Sequence, residues 1–311
     1  MKIVYLGSQV GFKALEETLA GKAEAEHVDA SPDAVERALE GAAALLDASM
    51  KVRITNEMVR RAPELGIIAC ATTGSDHIER DELERRDIPV RTLREDREVL
   101  LGLTPAAELS WALLMACARR LTGACDHVKG GQWNRELFPG IMLKDRRLGL
   151  IGCGRLGSWM ARYAKAFGMD VAAYDPHVDT LPEGVLRLDL EDLVRTSDFV
   201  SVHVHLSEET TSLLSRDLLE SAKPGVIVVN TSRGAVIDEN ALLDGLRSGR
   251  IGGAGLDVLD GEPDIQSHPL VEYAREHDNV VITPHCGGNS PDAVAVVCRR
   301  TAEKIVETLG I

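Results

Sequence analysis

Short apolar runs alternate with amphipathic stretches through the first hundred residues. The runs predict strands at 2–6, 43–46, 66–70 and 88–91, each too short for a helix. Between them, apolar positions recurring at helical spacing predict helices at 11–20, 32–40, 55–62 and 79–86. Ser31-Pro32 reads as an N-cap followed by proline at the first helical position. Such alternation predicts a parallel sheet with helices on both faces. Residues 103–121 then predict one long helix of Ala, Leu and Met, apolar nearly all round and so buried, partly against a second subunit. From Arg147 a second series begins, with strands at 147–151, 170–174, 198–202, 226–230, 252–257 and 279–282 and helices that include 154–168 and 238–248. Asp292 to Leu309 forms a last amphipathic helix.

Composition bounds what this α/β chain can do. Its 311 residues suit about two domains at the usual ~100–200 residues each. With 35 basic and 49 acidic side chains the formal charge is -14, a field that repels nucleic acid and anionic lipid. An anionic substrate therefore needs a local cluster of positive groups. The start, Met1-Lys2-Ile3-Val4-Tyr5-Leu6-Gly7, reads as a strand and lacks the features of a signal peptide. No apolar run is expected to reach the ~18 residues that span a bilayer. The six cysteines show no C-x-x-C pairing and read as free thiols of a cytoplasmic protein. The expected partner is thus a small molecule, with neither nucleic acid nor membrane.

Gly152-Cys153-Gly154-Arg155-Leu156-Gly157 matches G-x-G-x-x-G, a pattern that is weak alone. Here it follows the apolar strand Leu148-Gly149-Leu150-Ile151 and opens a helix, the context that dinucleotide binding requires. Gly152 permits the tight turn, Gly154 lets the backbone approach a pyrophosphate, and Gly157 allows close helix–strand packing. Eighteen residues after Gly157, Asp175 ends the strand Val171-Ala172-Ala173-Tyr174. An acid there accepts hydrogen bonds from an adenosine ribose and repels a 2′-phosphate, which favours NAD over NADP.

Three later segments place polar groups at strand ends: Asn230-Thr231-Ser232-Arg233-Gly234, Gly255 to Pro263, and Thr283-Pro284-His285-Cys286-Gly287-Gly288. Ligands of open α/β sheets bind at such carboxyl ends. Arg233 offers a carboxylate a planar two-pronged donor, His285 can carry the proton that accompanies hydride transfer, and Glu262 can orient that histidine. Asp238 reads as a helix cap. His203 and His205, spaced by one residue, have no evident third partner, so no metal is expected.

With these motifs in place, the chain resembles the D-isomer-specific 2-hydroxyacid dehydrogenase family over nearly its whole length. Thr73-Gly74-Ser75-Asp76-His77-Ile78, the segment from Thr104 to Glu108, and Gly131-Gln132-Trp133 extend the resemblance. It implies two doubly wound parallel-sheet domains, a Rossmann dinucleotide-binding domain at 101–285 inserted into a flavodoxin-like substrate domain of 1–100 plus 286–311. It implies that Arg233, Glu262 and His285 are catalytic. Thr73, Gly74 and Ser75 would meet the substrate together with Arg233 and His285, the backbone N–H groups around Gly74 and Ser75 holding its carboxylate. The implied NAD site comprises Thr104, Gly152, Gly154, Arg155, Leu156, Gly157, Asp175, His203, Thr231, Ser232, Arg233, Asp257, His285 and Gly287, with Asp257 near the nicotinamide amide. The region near 103–121 would help to build a homodimer.

Departures sharpen this reading. His205 stands where many relatives carry proline, and Glu262 separates the chain from a formate-oxidising branch that uses glutamine. Relatives that oxidise phosphoglycerate place an arginine where this chain has Asp47 or Ser49, so a small unphosphorylated substrate is expected, of glyoxylate, hydroxypyruvate or pyruvate size. The expected activity is NAD-dependent interconversion of a small 2-hydroxy acid and its 2-oxo acid. The alternative is an NAD(H)-sensing binding protein or corepressor on the same fold.

Overall fold

The computed structural model describes residues 1–311, which form two compact units. One comprises Met1–Leu103 with Gly288–Ile311, the other Thr104–Gly287.

In the first unit the apolar runs become β1 (Lys2–Leu6), β3 (Ala42–Asp47), β4 (Ile67–Cys70) and the short β5 (Val90–Arg91). A further strand, β2 (Glu24–His27), joins the edge. All pairings are parallel, in the order β2-β1-β3-β4-β5 of a flavodoxin-like sheet. Helices Gln9–Leu19 and Pro291–Leu309 pack together on one face, over Ile3, Tyr5 and Leu46. Val35, Leu39 and Val59 cover Val4 and Leu45 on the other face. The final helix therefore returns to the first unit, as an inserted domain requires.

The second unit holds β6 (Arg147–Ile151), β7 (Asp170–Tyr174), β8 (Leu186–Arg187), β9 (Phe199–Val202), β10 (Val226–Asn230), β11 (Ile251–Leu256) and β12 (Val280–Ile282). Their order, β12-β11-β10-β9-β6-β7-β8, is that of a Rossmann sheet whose winding reverses between β6 and β9. Every pairing is parallel, so all carboxyl ends share one edge.

Three expectations need correction. The helix expected over 103–121 is two: Pro105–Ala118 closes on Arg119, Arg120 takes a left-handed φ of 49°, and Leu121–Lys129 follows. Its Leu113, Leu114, Cys117 and Ala118 are buried in the second unit's core, while Trp111 and Met115 are only half-buried. Second, Arg97–Ala118 is long and apolar enough to cross a membrane by length and composition, contrary to the sequence expectation. It is broken at Gly102–Thr104, because Pro105 opens a new helix. Third, the unit boundaries fall after Leu103 and after Gly287, two to three residues beyond 100 and 285. Leu103 N donates to Leu100 O, and Gly287 N donates to Asp257 Oδ2, holding each segment to its own unit.

Candidate active site

The second unit's carboxyl edge is built from strands too hydrophobic to leave polar groups anywhere but their ends. Ile151 ends β6, and Gly152 follows at φ 89°, where a Cβ would lie 2.7 Å from His203 O. A Cβ on Gly157 would sit 2.2 Å from Gly152 O, so the helix Arg155–Ala166 starts hard against the turn. Around a Cβ on Gly154 there is only open space. The three glycines thus meet the requirements of turn, packing and ligand approach, and the helix N-terminus beyond suits a pyrophosphate.

Asp175 is buried and braces this turn. Its Oδ2 accepts from Cys153 N at 2.8 Å, and its Oδ1 accepts from His177 N at 2.9 Å and Val178 N at 3.1 Å. Arg155 and Leu156 are half-buried in the first helical turn, and burial lowers the Arg155 guanidinium pKa. The His203 ring turns inward: Nε2 bonds Ser201 Oγ at 2.8 Å, and Nδ1 is buried without a partner. Burial depresses its pKa to about 4, so the ring is neutral. His203 therefore meets the glycine turn through its backbone, and His205, by contrast, is exposed.

β10, β11 and β12 are neighbours, and the three catalytic candidates follow their ends. Asn230, buried at the last position of β10, shapes the first loop. Its Nδ2 donates to Arg233 O at 2.8 Å, and its Oδ1 accepts from Ser232 N and Ser232 Oγ. Thr231 is tied elsewhere: Ser110 Oγ donates to Ala106 O, so the 2.6 Å contact has the Thr231 hydroxyl donating to Ser110. Arg233 is half-buried, its Nη1 donating to Ser232 O. The Thr104 hydroxyl, in the same unit, donates to Glu108 Oε1.

Asp257, buried just past β11, shapes the third loop. Its Oδ1 accepts from Thr283 Oγ1 and Cys286 N, and its Oδ2 from Gly287 N. His285 N also donates to Asp257 O at 2.8 Å, which holds His285 at a left-handed φ of 50°. A non-glycine residue in this region carries local strain that its surroundings must support, a frequent feature of active sites. There His285 Nδ1 meets Glu262 Oε1 at 2.5 Å, with both side chains about one-third exposed. The carboxylate accepts from Nδ1–H, which leaves Nε2 as the atom that gives or takes a proton.

Thr73, Gly74 and Ser75 lie in the first unit, on the loop after β4. Thr72 Oγ1 donates to Gly74 O at 2.7 Å, and Arg80 Nη2 to Ser75 Oγ at 2.6 Å. Asp47 faces inward. It is the last residue of a fully buried strand, and its carboxylate accepts from Ser49 N, Ser49 Oγ, Met50 N and His77 Nε2. Arg53 pairs with Glu79. Sequence reasoning assigned no role to Asn230, Gly234, Glu239 or His268; a polar residue closing an apolar strand was the one signal available, at Asn230.

A Rossmann sheet with this glycine turn and a carboxylate–histidine pair at neighbouring strand ends defines a dinucleotide-dependent oxidoreductase. Comparison with known proteins agrees. The D-isomer specific 2-hydroxyacid dehydrogenase catalytic domain model matches residues 4–94, and the NAD binding domain model matches residues 111–287. Hydroxypyruvate reductase of Thermotoga maritima is 37% identical over 262 residues, covering 83% of this chain and 82% of that protein. Glyoxylate reductase of Thermococcus litoralis is 36% identical over 264 residues, covering 82% and 77%. A solved structure from Thermus thermophilus superposes with a TM-score of 0.87 at 36% identity, over 100% of this chain and 97% of the other. The chain belongs to the D-isomer-specific 2-hydroxyacid dehydrogenase family. It is an NAD-dependent oxidoreductase of 2-hydroxy and 2-oxo acids, and the comparisons support this reading over that of a sensor.

Proposed function

We propose that the protein reduces a small, unphosphorylated 2-oxo acid to its D-2-hydroxy acid with NADH, and runs the reverse reaction with NAD. The observation that carries this reading is the 2.5 Å contact between Glu262 and His285 Nδ1, which leaves His285 Nε2 as the atom that exchanges the proton. NADH, when bound at the glycine turn, supplies the hydride. His285 Nε2 gives a proton to the carbonyl oxygen in reduction and takes it back in oxidation, while Glu262 stabilises the imidazolium. A positioned acid of this kind is worth roughly 10²–10⁴-fold in rate. Arg233 holds the substrate carboxylate and polarises the carbonyl. In the first unit, the Arg80 guanidinium bonded to Ser75 puts a local positive charge on the loop of Thr73, Gly74 and Ser75, of the kind that an anionic substrate of a chain of charge -14 requires.

Asp175 sets the preference for NAD over NADP. The working form is a cytoplasmic homodimer. Its interface is the segment 121–142, where Trp133 is 89% and Met142 72% exposed and Leu121, Val128 and Leu137 are exposed too. Five large apolar side chains exposed within one segment suit burial against a second copy. The deciding experiment follows NADH absorbance across a panel of 2-oxo acids, with light scattering for the mass. Turnover of glyoxylate or hydroxypyruvate by a dimer is expected. No turnover of any 2-oxo acid would refute the activity, and a monomer at micromolar concentration would refute the interface.

A further inference from the structure

Each catalytic side chain rides on a loop whose backbone a neighbouring side chain holds: Asn230 for Arg233, and Asp257 for His285. Glu262 lies on the remaining loop, after β11, and its holder plays no part in the chemistry above. Glu239 opens the helix Glu239–Ser248, and its Oε1 accepts from Asp260 N at 3.0 Å. Its Oε2 meets His268 Nε2 at 2.9 Å. His268 in turn caps the helix Pro269–Glu276, its Nδ1 accepting from Leu270 N at 3.3 Å. Because Nδ1 is the acceptor, Nε2 carries the hydrogen and donates to Glu239. The pair is largely enclosed, with side chains 12% and 14% exposed, and burial pushes the Glu239 carboxyl pKa up.

We propose that Glu239, oriented by His268, is a positioning residue for the catalytic Glu262–His285 pair. The route is short. Leu259 N donates to Glu262 Oε2 and Glu262 N to Leu259 O, each at 3.4 Å, so 259–262 is a closed turn. Anchoring the Asp260 amide anchors the Glu262 carboxylate two residues on. The same peptide is packed against Gly234, next to Arg233, so the anchor fixes two of the three catalytic loops. Only an acceptor at both oxygens fits this arrangement. In Glu239→Gln the amide group must face either the Asp260 N–H or the His268 Nε2–H, donor against donor. His268 cannot escape by changing tautomer without giving up the Leu270 cap.

The pair also lines a cavity of about 340 Å³, shared with Thr211, Ser212 and Asn240. A small carboxylate can enter there, which supplies a rescue experiment. The proposal rests on the assigned activity, so its test has one readout that needs none: the ring protons of His285, followed by NMR across pH. In Glu239→Ala and Glu239→Gln the His285 titration midpoint should fall, in the direction given by Glu262→Gln. Reductive kcat should drop about 10- to 100-fold, since a misplacement near 1 Å costs that much, while NADH affinity stays within about threefold. Formate should restore kcat and the midpoint in Glu239→Ala, and should not in Glu239→Gln, where the amide fills the space. His268→Ala serves as the second variant and should show a smaller effect of the same sign. An unchanged His285 midpoint in folded Glu239→Gln or His268→Ala would overturn the proposal, leaving Glu239 a support for its helix alone. Absence of turnover by the unmodified protein would instead refute the activity, with the NMR result still deciding the positioning.

Discussion

A Cβ on Gly234 would lie 2.0 Å from the amide nitrogen of Asp260 and 2.1 Å from the carbonyl carbon of Leu259. The loop carrying Arg233 and the loop carrying Glu262 therefore touch backbone to backbone, and only a residue without a side chain permits it. Gly234→Ala must push the two loops apart. Overpacking of this kind costs about 3 kcal/mol, and kcat/KM should fall at least ~100-fold. Thermal unfolding and steady-state kinetics on the same preparation check both, and normal activity would show that the contact is not needed.

The Glu262–His285 contact gives a prediction with a definite sign. A neighbouring carboxylate favours the charged imidazolium, and glutamine does not. In Glu262→Gln the alkaline fall-off of the reductive reaction should move to lower pH, and the oxidative reaction should gain relative to it at neutral pH. The pH profiles of kcat/KM in both directions measure this. If they are unchanged, Glu262 does not govern the proton on His285.

The proposed preference for NAD over NADP rests on Asp175, and the hydrogen bonds of its carboxylate decide which variant tests it. The carboxylate that should meet the ribose also holds Cys153 N, His177 N and Val178 N. Asp175→Ala would loosen the glycine turn and weaken both cofactors. Asp175→Asn keeps one acceptor oxygen while removing the charge that repels a 2′-phosphate, so it should narrow the preference for NADH mainly by improving NADPH. Equal binding of NADH and NADPH by the unmodified protein would refute the assignment.

Much of this was legible because strand and motif coincide. Apolar β6 runs directly into three spaced glycines, and β10, β11 and β12 each end on a polar segment. β2 was not legible: Glu24-Ala25-Glu26-His27 is an exposed edge held by backbone pairing to β1, so no apolar pattern betrays it. The burial of Asp47 was not legible either, because four donors from three residues, one of them 30 positions away, meet the carboxylate within the protein. The Glu239–His268 pair joins residues 29 apart from two different helix starts, and no local motif links them.

His203 carries a stability prediction. Burial lowers its pKa from the ordinary 6.5 to about 4, so the folded protein resists a proton that the unfolded chain accepts. Its contribution is complete above pH 6.5 and is lost as pH falls toward 4, by on the order of 3 kcal/mol. His203→Asn, which cannot be protonated there, should lose less of its melting temperature between pH 7.5 and 4.5 than the unmodified protein. Equal losses would mean that the ring is not shielded from protons.

The last prediction concerns the substrate. A phosphate dianion needs basic side chains directed at it, and the end of β3 does not present them. Asp47 is turned inward with its charge met by Ser49, Met50 and His77, and Arg53 is engaged by Glu79. Exposed Lys51 remains in this stretch, and Arg80 is bound to Ser75 at the loop assigned to the carboxylate. One flexible lysine is a weak site for a doubly charged group, because a point charge gives neither the fork nor the fixed geometry of a guanidinium. Catalytic efficiency with NADH should therefore be higher for hydroxypyruvate than for phosphohydroxypyruvate, by about tenfold or more, the equivalent of ~1.4 kcal/mol. Lys51→Ala should leave the hydroxypyruvate value within about twofold, as expected for an exposed side chain outside the carboxylate site. A preference for the phosphorylated compound that Lys51→Ala abolishes would identify Lys51 as the phosphate-binding group and refute the small-substrate reading.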